Sequence, residues 1–152
     1  DLLNDAALRI GKERFLAGRY TAAVDACRAI SQHNPGDAGA ARCAGLSLLM
    51  LSQFDAAAQW LQRAAELQDQ DAALLAELGI AQYLAGADDA ARDTMVRARA
   101  VNAARISQLG LAVAAATRGE VADSRRQLER LSQDAQWGGL ARRALERLES
   151  AR

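Results

Sequence analysis

Few side chains in this sequence have catalytic or metal-binding potential. His33 is the single histidine, and the two cysteines, Cys27 and Cys43, are 16 residues apart. That spacing matches no zinc motif, and two soft ligands are too few for a metal site. The sequence also lacks a phosphate-binding glycine loop and a nucleophile elbow. We therefore expect no enzyme activity, no cofactor and no metal site, and we predict no catalytic residue.

The helices that would position these residues are indicated by residue types that recur at a fixed period along the sequence. One set of glycines and one set of alanines recur every 34 residues, namely Gly11, Gly45, Gly79 and Ala23, Ala57, Ala91. A period of 34 is typical of a helix–turn–helix repeat that stacks into a solenoid. Apolar residues recur at helical spacing within each row, and no stretch alternates long enough for a strand. The pattern therefore predicts an all-α fold and a binding surface.

The rows resemble the tetratricopeptide repeat. Small and large residues alternate at matching points of the first three rows, among them Gly11, Gly18, Tyr20, Ala23 and Pro35 in row one, Gly45, Phe54, Ala57 and Ala64 in row two, and Gly79, Gly86, Ala91 and Ala98 in row three. Rows one to three span about 4–37, 38–71 and 72–105. A degenerate fourth row spans about 105–136, and an amphipathic helix over 137–151 follows it. The resemblance implies one domain over 1–152, a right-handed α-solenoid of antiparallel helix pairs with a C-terminal capping helix.

The same resemblance implies a binding groove. In tetratricopeptide repeats the first helix of each row lines a concave face, and the matching residues here are Leu8, Lys12, Phe15, Arg42, Leu46, Leu49, Met50, Ile80, Tyr83, Leu84, Leu109 and Val113. This face is mostly apolar, although some of these residues must belong to the core. An apolar groove suits a hydrophobic or amphipathic peptide segment. We therefore expect a non-catalytic scaffold that binds a protein or peptide partner.

Composition restricts the other classes of partner. The net charge is zero, which argues against nucleic acid. No run of 18 apolar residues predicts a membrane span. Nothing in the sequence indicates a small-molecule substrate, and the oligomeric state stays open.

The biological setting is less constrained than the fold. All but one of the 19 cationic residues are arginine, which favours a bacterial source. We expect a role in bacterial secretion, pilus or envelope assembly. The alternatives are a class II type III secretion chaperone that cradles translocators, and a repeat domain of a larger transferase. The chain begins at Asp1 rather than Met, so we expect a processed or truncated N-terminus, and both the cytoplasm and the periplasm stay open.

Three features admit two interpretations each. In the repeat frame, Cys27 and Cys43 lie on stacked helices; we expect two buried thiols, with a disulfide as the alternative in an oxidising compartment. The final helix is expected to cap the solenoid, with a docking helix as the alternative. The late arginines, namely Arg125, Arg126, Arg130, Arg142, Arg143 and Arg147, are expected to form a solvated face paired with Glu129, Glu146 and Glu149, with a basic binding face as the alternative.

Overall fold

The structure, a computed structural model, describes residues 2–150, and side chains from residue 6 onward. These residues form nine α-helices and no strand: α1 (Leu2–Leu16), α2 (Tyr20–His33), α3 (Ala38–Met50), α4 (Phe54–Leu67), α5 (Ala72–Leu84), α6 (Asp88–Asn102), α7 (Gln108–Thr117), α8 (Val121–Leu131) and α9 (Gly138–Ser150). A short 3₁₀ helix, Ala103–Arg105, separates α6 from α7. The predicted all-α repeat fold is confirmed. Within this range, no helix has the length and apolarity to span a membrane.

The chain divides into two compact units, residues 1–70 and 71–152. Unit 1 contains the helix pairs α1–α2 and α3–α4, and unit 2 contains α5–α6, α7–α8 and the final helix α9. Within each unit, consecutive helices pack against one another. The single domain over 1–152 stays a prediction. Ala151, the predicted last residue of the final helix, lies outside the described residues.

The recurring glycines mark the closest approach of the two helices in a pair. A Cβ atom on Gly45 would lie 2.6 Å from Cγ of Leu61, and one on Gly79 would lie 2.7 Å from Cε of Met95. Leu61 and Met95 are themselves 34 residues apart, so each row repeats the same contact. Glycine is required here because a side chain of the second helix fills the space that a Cβ would need.

The first helix of each pair ends in the same turn. A residue with positive φ follows it in all four pairs: Gly18 (77°), Ser52 (61°), Gly86 (91°) and Gly119 (81°). In the third pair, the amide of Ala87 donates to the carbonyl of Gln82 and that of Gly86 to Tyr83. These two bonds define a Schellman motif, which satisfies carbonyls at the helix end. Ser52 adopts the left-handed conformation without the freedom of glycine, which costs about 1–2 kcal/mol.

Side-chain caps fix the start of three first helices. Asp37 accepts a hydrogen bond from the amide of Ala40 at α3, and Asp71 accepts one from the amide of Leu74 at α5. Ser107 does the same for α7 through the amide of Gly110. Each cap satisfies an amide that has no partner within the helix, which stabilises that helix by about 1 kcal/mol. These three first helices therefore begin at defined residues.

Candidate interaction surfaces

A cleft of about 320 Å³ opens in unit 1 beside α1 and α3. Its lining residues come from both helices and from the end of α4: Lys12, Phe15, Leu16, Ala38, Gly39, Arg42, Cys43, Leu46 and Gln68. Four of the predicted groove residues are among them, namely Lys12, Phe15, Arg42 and Leu46. The structure therefore brings one part of the predicted groove together around a single cavity.

Close packing under the cleft holds α1 and α3 in place. Cys27 of α2 and Cys43 of α3 form a disulfide, with Cα atoms 6.0 Å apart. A Cβ on Gly11 would lie 2.4 Å from Sγ of Cys27, so the backbone of α1 lies directly on this disulfide. Leu8 of α1 and Trp60 of α4 also pack against the cysteines. The expectation of two free thiols was therefore wrong, because the stacked helices bring the sulfurs within bonding distance.

The apolar part of the cleft comes from the end of α1. Phe15 is half-buried and packs edge-on against Tyr20, with ring centroids 5.4 Å apart. The neighbouring Leu16 exposes 79% of its surface. Covering a fully exposed leucine gains roughly 1.5–3 kcal/mol, so Leu16 is an energetically useful contact for a partner. Leu46 of α3 is half-buried and completes the apolar lining.

The cleft also has a positive rim. Lys12 is exposed on α1, and the half-buried Arg42 lies on α3. No acidic side chain lines the cavity among the described residues. Apolar and cationic groups side by side suit an amphipathic segment with an acidic edge.

The other predicted groove residues have different environments. Leu49, Ile80, Leu109 and Val113 are at most 3% exposed and form part of the protein core. Leu8 packs on the cysteine cluster, whereas Met50 and Leu84 are half-buried and do not line the cleft. Helical periodicity places all of these residues on first helices, but it cannot separate those that face the interior from those that face a groove.

Tyr83 is covered by α9. The guanidinium carbon of Arg147 lies 4.9 Å from the centre of the Tyr83 ring, and Tyr83 is only 5% exposed. Arg147 also donates through Nη2 to the carboxylate of Asp88, the first residue of α6. Burial raises the pKa of the Tyr83 phenol, an effect that Arg147 opposes. The expected solvated pairing of Arg147 with neighbouring glutamates was therefore wrong, whereas Arg143 does pair with Glu146 at 3.8 Å.

A second cavity in unit 2, about 450 Å³, is polar. Its lining residues are Gln108, Gln127, Arg130, Leu131, Gln133 and Asp134. The Asp134 carboxylate already accepts hydrogen bonds from the amides of Gln136 and Trp137, which lower its pKa. This cavity is therefore lined mainly by polar side chains, and its carboxylate is already hydrogen-bonded to amides at the start of α9.

The described residues contain no group of three or more His, Cys, Asp or Glu side chains placed to hold a metal ion. His33 is exposed at the end of α2. The disulfide leaves neither cysteine as a thiolate nucleophile. None of these three side chains forms part of a recognisable catalytic arrangement.

Comparison with known proteins defines the fold. No protein-family model matches the chain, and no curated protein matches its sequence. Among solved structures, a mutant O-GlcNAc transferase from Thermobaculum terrenum matches 84% of this chain, with a TM-score of 0.68 and 18% identity. This match covers 26% of the transferase chain, so the present chain spans about a quarter of that protein.

Two crystal structures of MamA are similar over most of their own length. They match 97% and 93% of this chain and 85% and 92% of theirs, with TM-scores of 0.67 and 0.65. Their sequence identities are 18% and 20%. These neighbours are tetratricopeptide-repeat proteins, and the present chain has the tetratricopeptide-repeat fold. At such low identities, the likeness describes the fold and not the ligands.

Proposed function

We propose that this chain is a non-catalytic protein-interaction module whose unit 1 cleft binds an amphipathic segment of a protein partner. The cleft beside α1 and α3 is the observation on which the proposal rests. Its apolar lining would take the hydrophobic side of the segment. The exposed Lys12 would favour acidic residues along its edge.

The packing of the cleft supports a preformed site. The disulfide ties α2 to α3, and the backbone of α1 lies against it at Gly11. A Cβ on Gly39 of α3 would lie 3.1 Å from Cδ2 of Leu8, so α1 and α3 approach closely at the base of the cleft. A partner would therefore bind without first paying the conformational cost of assembling these helices.

The setting we favour is secretion, pilus or envelope assembly in a bacterium. A buried disulfide is typical of proteins that fold in an oxidising compartment, so we propose the periplasm rather than the cytoplasm. A secretion chaperone and a repeat domain of a larger transferase are the alternatives. The full-length gene with its neighbours distinguishes them.

A pair of matched substitutions tests the cleft. Leu16 and Val96 are both large, exposed apolar residues, at 79% and 62%, but Leu16 lines the cleft and Val96 lies on α6. Leu16→Glu should abolish capture of the partner from the native organism, and Val96→Glu should leave it intact. Both variants should keep the wild-type circular dichroism spectrum. Full capture by a folded Leu16→Glu protein would refute binding at the cleft.

A further inference from the structure

Unit 2 contains a contact between α5 and α9 that does not follow the repeat. Helix α9 packs on α8, as a next helix would, but it also reaches back to α5. Its Arg147 lies over the Tyr83 ring and pairs with Asp88. The guanidinium lies beside the turn between α5 and α6, since a Cβ on Gly86 would be in ordinary contact with Arg147 Nη1 at 3.8 Å.

The chemistry of this contact is selective for arginine. A planar guanidinium can stack on an aromatic ring and donate to a carboxylate at the same time, whereas a lysine ammonium is a point charge without a stacking face. Tyr83 supplies the ring and Asp88 supplies the carboxylate. At the same positions of the first two rows the pairs are Phe15 with Tyr20 and Leu49 with Phe54, so neither row has a carboxylate there.

Arg147 does not satisfy all of its own hydrogen-bonding groups. Its Nε atom is buried and has no hydrogen-bond partner among the described residues. The Asp88 side chain is 60% exposed, so its ion pair with Arg147 is screened by water. The apolar contacts of α9 come mainly from Leu140, Leu148 and two alanines. Such a helix is held mainly by a short apolar stripe, which a competing amphipathic helix could replace.

We propose that Tyr83 and Asp88 form an arginine-binding site, that Arg147 fills it from within the chain, and that a partner helix with an arginine beside an apolar stripe displaces α9. The proposal extends the interaction function proposed above to unit 2. The partner at this site is a cationic amphipathic helix, whereas the partner segment at the unit 1 cleft is expected to have acidic residues along its edge. Its test does not use that cleft, so either proposal can fail while the other stands.

The test uses the full-length chain and a fluorescein-labelled peptide with the sequence of residues 137–150. Removing the internal arginine vacates the site, so the Arg147→Ala protein should bind this peptide at least about tenfold more tightly than wild type. Amide exchange of α9 should also become faster. Arg143→Ala is the matched control, because Arg143 lies on the same helix and is about half-exposed. It should bind the peptide as wild type does.

A second substitution locates the site. Adding Asp88→Asn to Arg147→Ala should reduce the gain, because the peptide arginine then lacks its carboxylate and keeps only the Tyr83 ring. If Arg147→Ala unfolds, Arg147→Lys keeps the charge without the stacking plane and should give an intermediate gain. The proposal is overturned if the folded Arg147 variant binds the peptide no more tightly than wild type and Arg143→Ala do. A gain that is undiminished with Asp88→Asn would overturn the assignment of the site.

Discussion

Gly45 of α3 faces Leu61 of α4 so closely that a Cβ on the glycine would lie 2.6 Å from Cγ and 3.2 Å from the backbone nitrogen of the leucine. Leu61 is fully buried and has no space into which it can move freely. The contact explains why glycine recurs with the period of the repeat, since each first helix meets a large side chain of the second at this point.

Gly45→Ala should therefore destabilise the protein. Alanine favours a helix over glycine by about 1 kcal/mol, but overpacking against Leu61 costs about 1–3 kcal/mol. We expect a net loss of up to about 2 kcal/mol in the free energy of unfolding, measured by urea denaturation. Gly139→Ala is the control, because its Cβ would have no neighbour closer than 4.0 Å. Equal effects of the two substitutions would show that the helix contact is wrong.

Ser52→Gly should stabilise the protein by about 1 kcal/mol, because glycine adopts the left-handed conformation without strain. The reverse change, Gly18→Ser, places a serine at the same point of the first pair. A Cβ on Gly18 would meet no atom within 4 Å, so Gly18→Ser should change stability only through the backbone conformation. We expect thermal melting shifts of opposite sign for the two variants. Shifts of the same sign would contradict the shared turn.

Because Cys27 and Cys43 form a disulfide, we expect the unreduced protein to contain no free thiol. Neither cysteine should react with iodoacetamide in native or in unfolded protein until a reductant is added. The loop between them is short, so its cross-link should contribute about 3 kcal/mol to the free energy of unfolding, a loss measurable in the Cys27→Ala, Cys43→Ala double variant. Alkylation of unfolded, unreduced protein would instead mean that the thiols are free.

Asp134 should make α9 sensitive to acid. The amides of Gln136 and Trp137 each donate to its Oδ1 at 2.8 Å and lower the pKa of the carboxyl. A lowered folded-state pKa means that the stabilisation is fully present above the ordinary pKa of the group and is lost as the pH falls through the lowered value. Wild type should therefore melt above Asp134→Asn at neutral pH.

The difference in melting temperature between these two proteins should shrink in acid and vanish below the lowered pKa. Asp25→Asn serves as the control, because Asp25 is an exposed carboxylate of α2. A difference between wild type and Asp134→Asn that stays constant down to strongly acidic pH would mean that the carboxylate does not hold these amides.

Periodicity predicted the helices well because the physical requirement repeats. Each first helix needs a small residue against its partner and a left-handed residue at its end, and both requirements recur at fixed spacing. The contact between Tyr83 and Arg147 has no such period. It depends on the path of α9 after the last turn, and short-range sequence patterns do not specify that path.

The candidate site was predicted only in part for a related reason. Phe15, Leu49 and Tyr83 occupy one position of the repeat, yet Phe15 lines a cleft, Leu49 is fully buried and Tyr83 lies beneath Arg147. The period gives the helix face on which a residue lies. The exposure of each copy depends on the elements packed against it, which differ between rows.

The most direct test of the central claim is site-specific photo-crosslinking in the native organism. A photoreactive amino acid at position 16 lies in the unit 1 cleft, and one at position 96 lies on α6 with comparable exposure. Binding at the cleft predicts a discrete protein adduct from position 16 that position 96 does not give. The absence of an adduct at position 16, or the same adduct from both positions, would contradict the account.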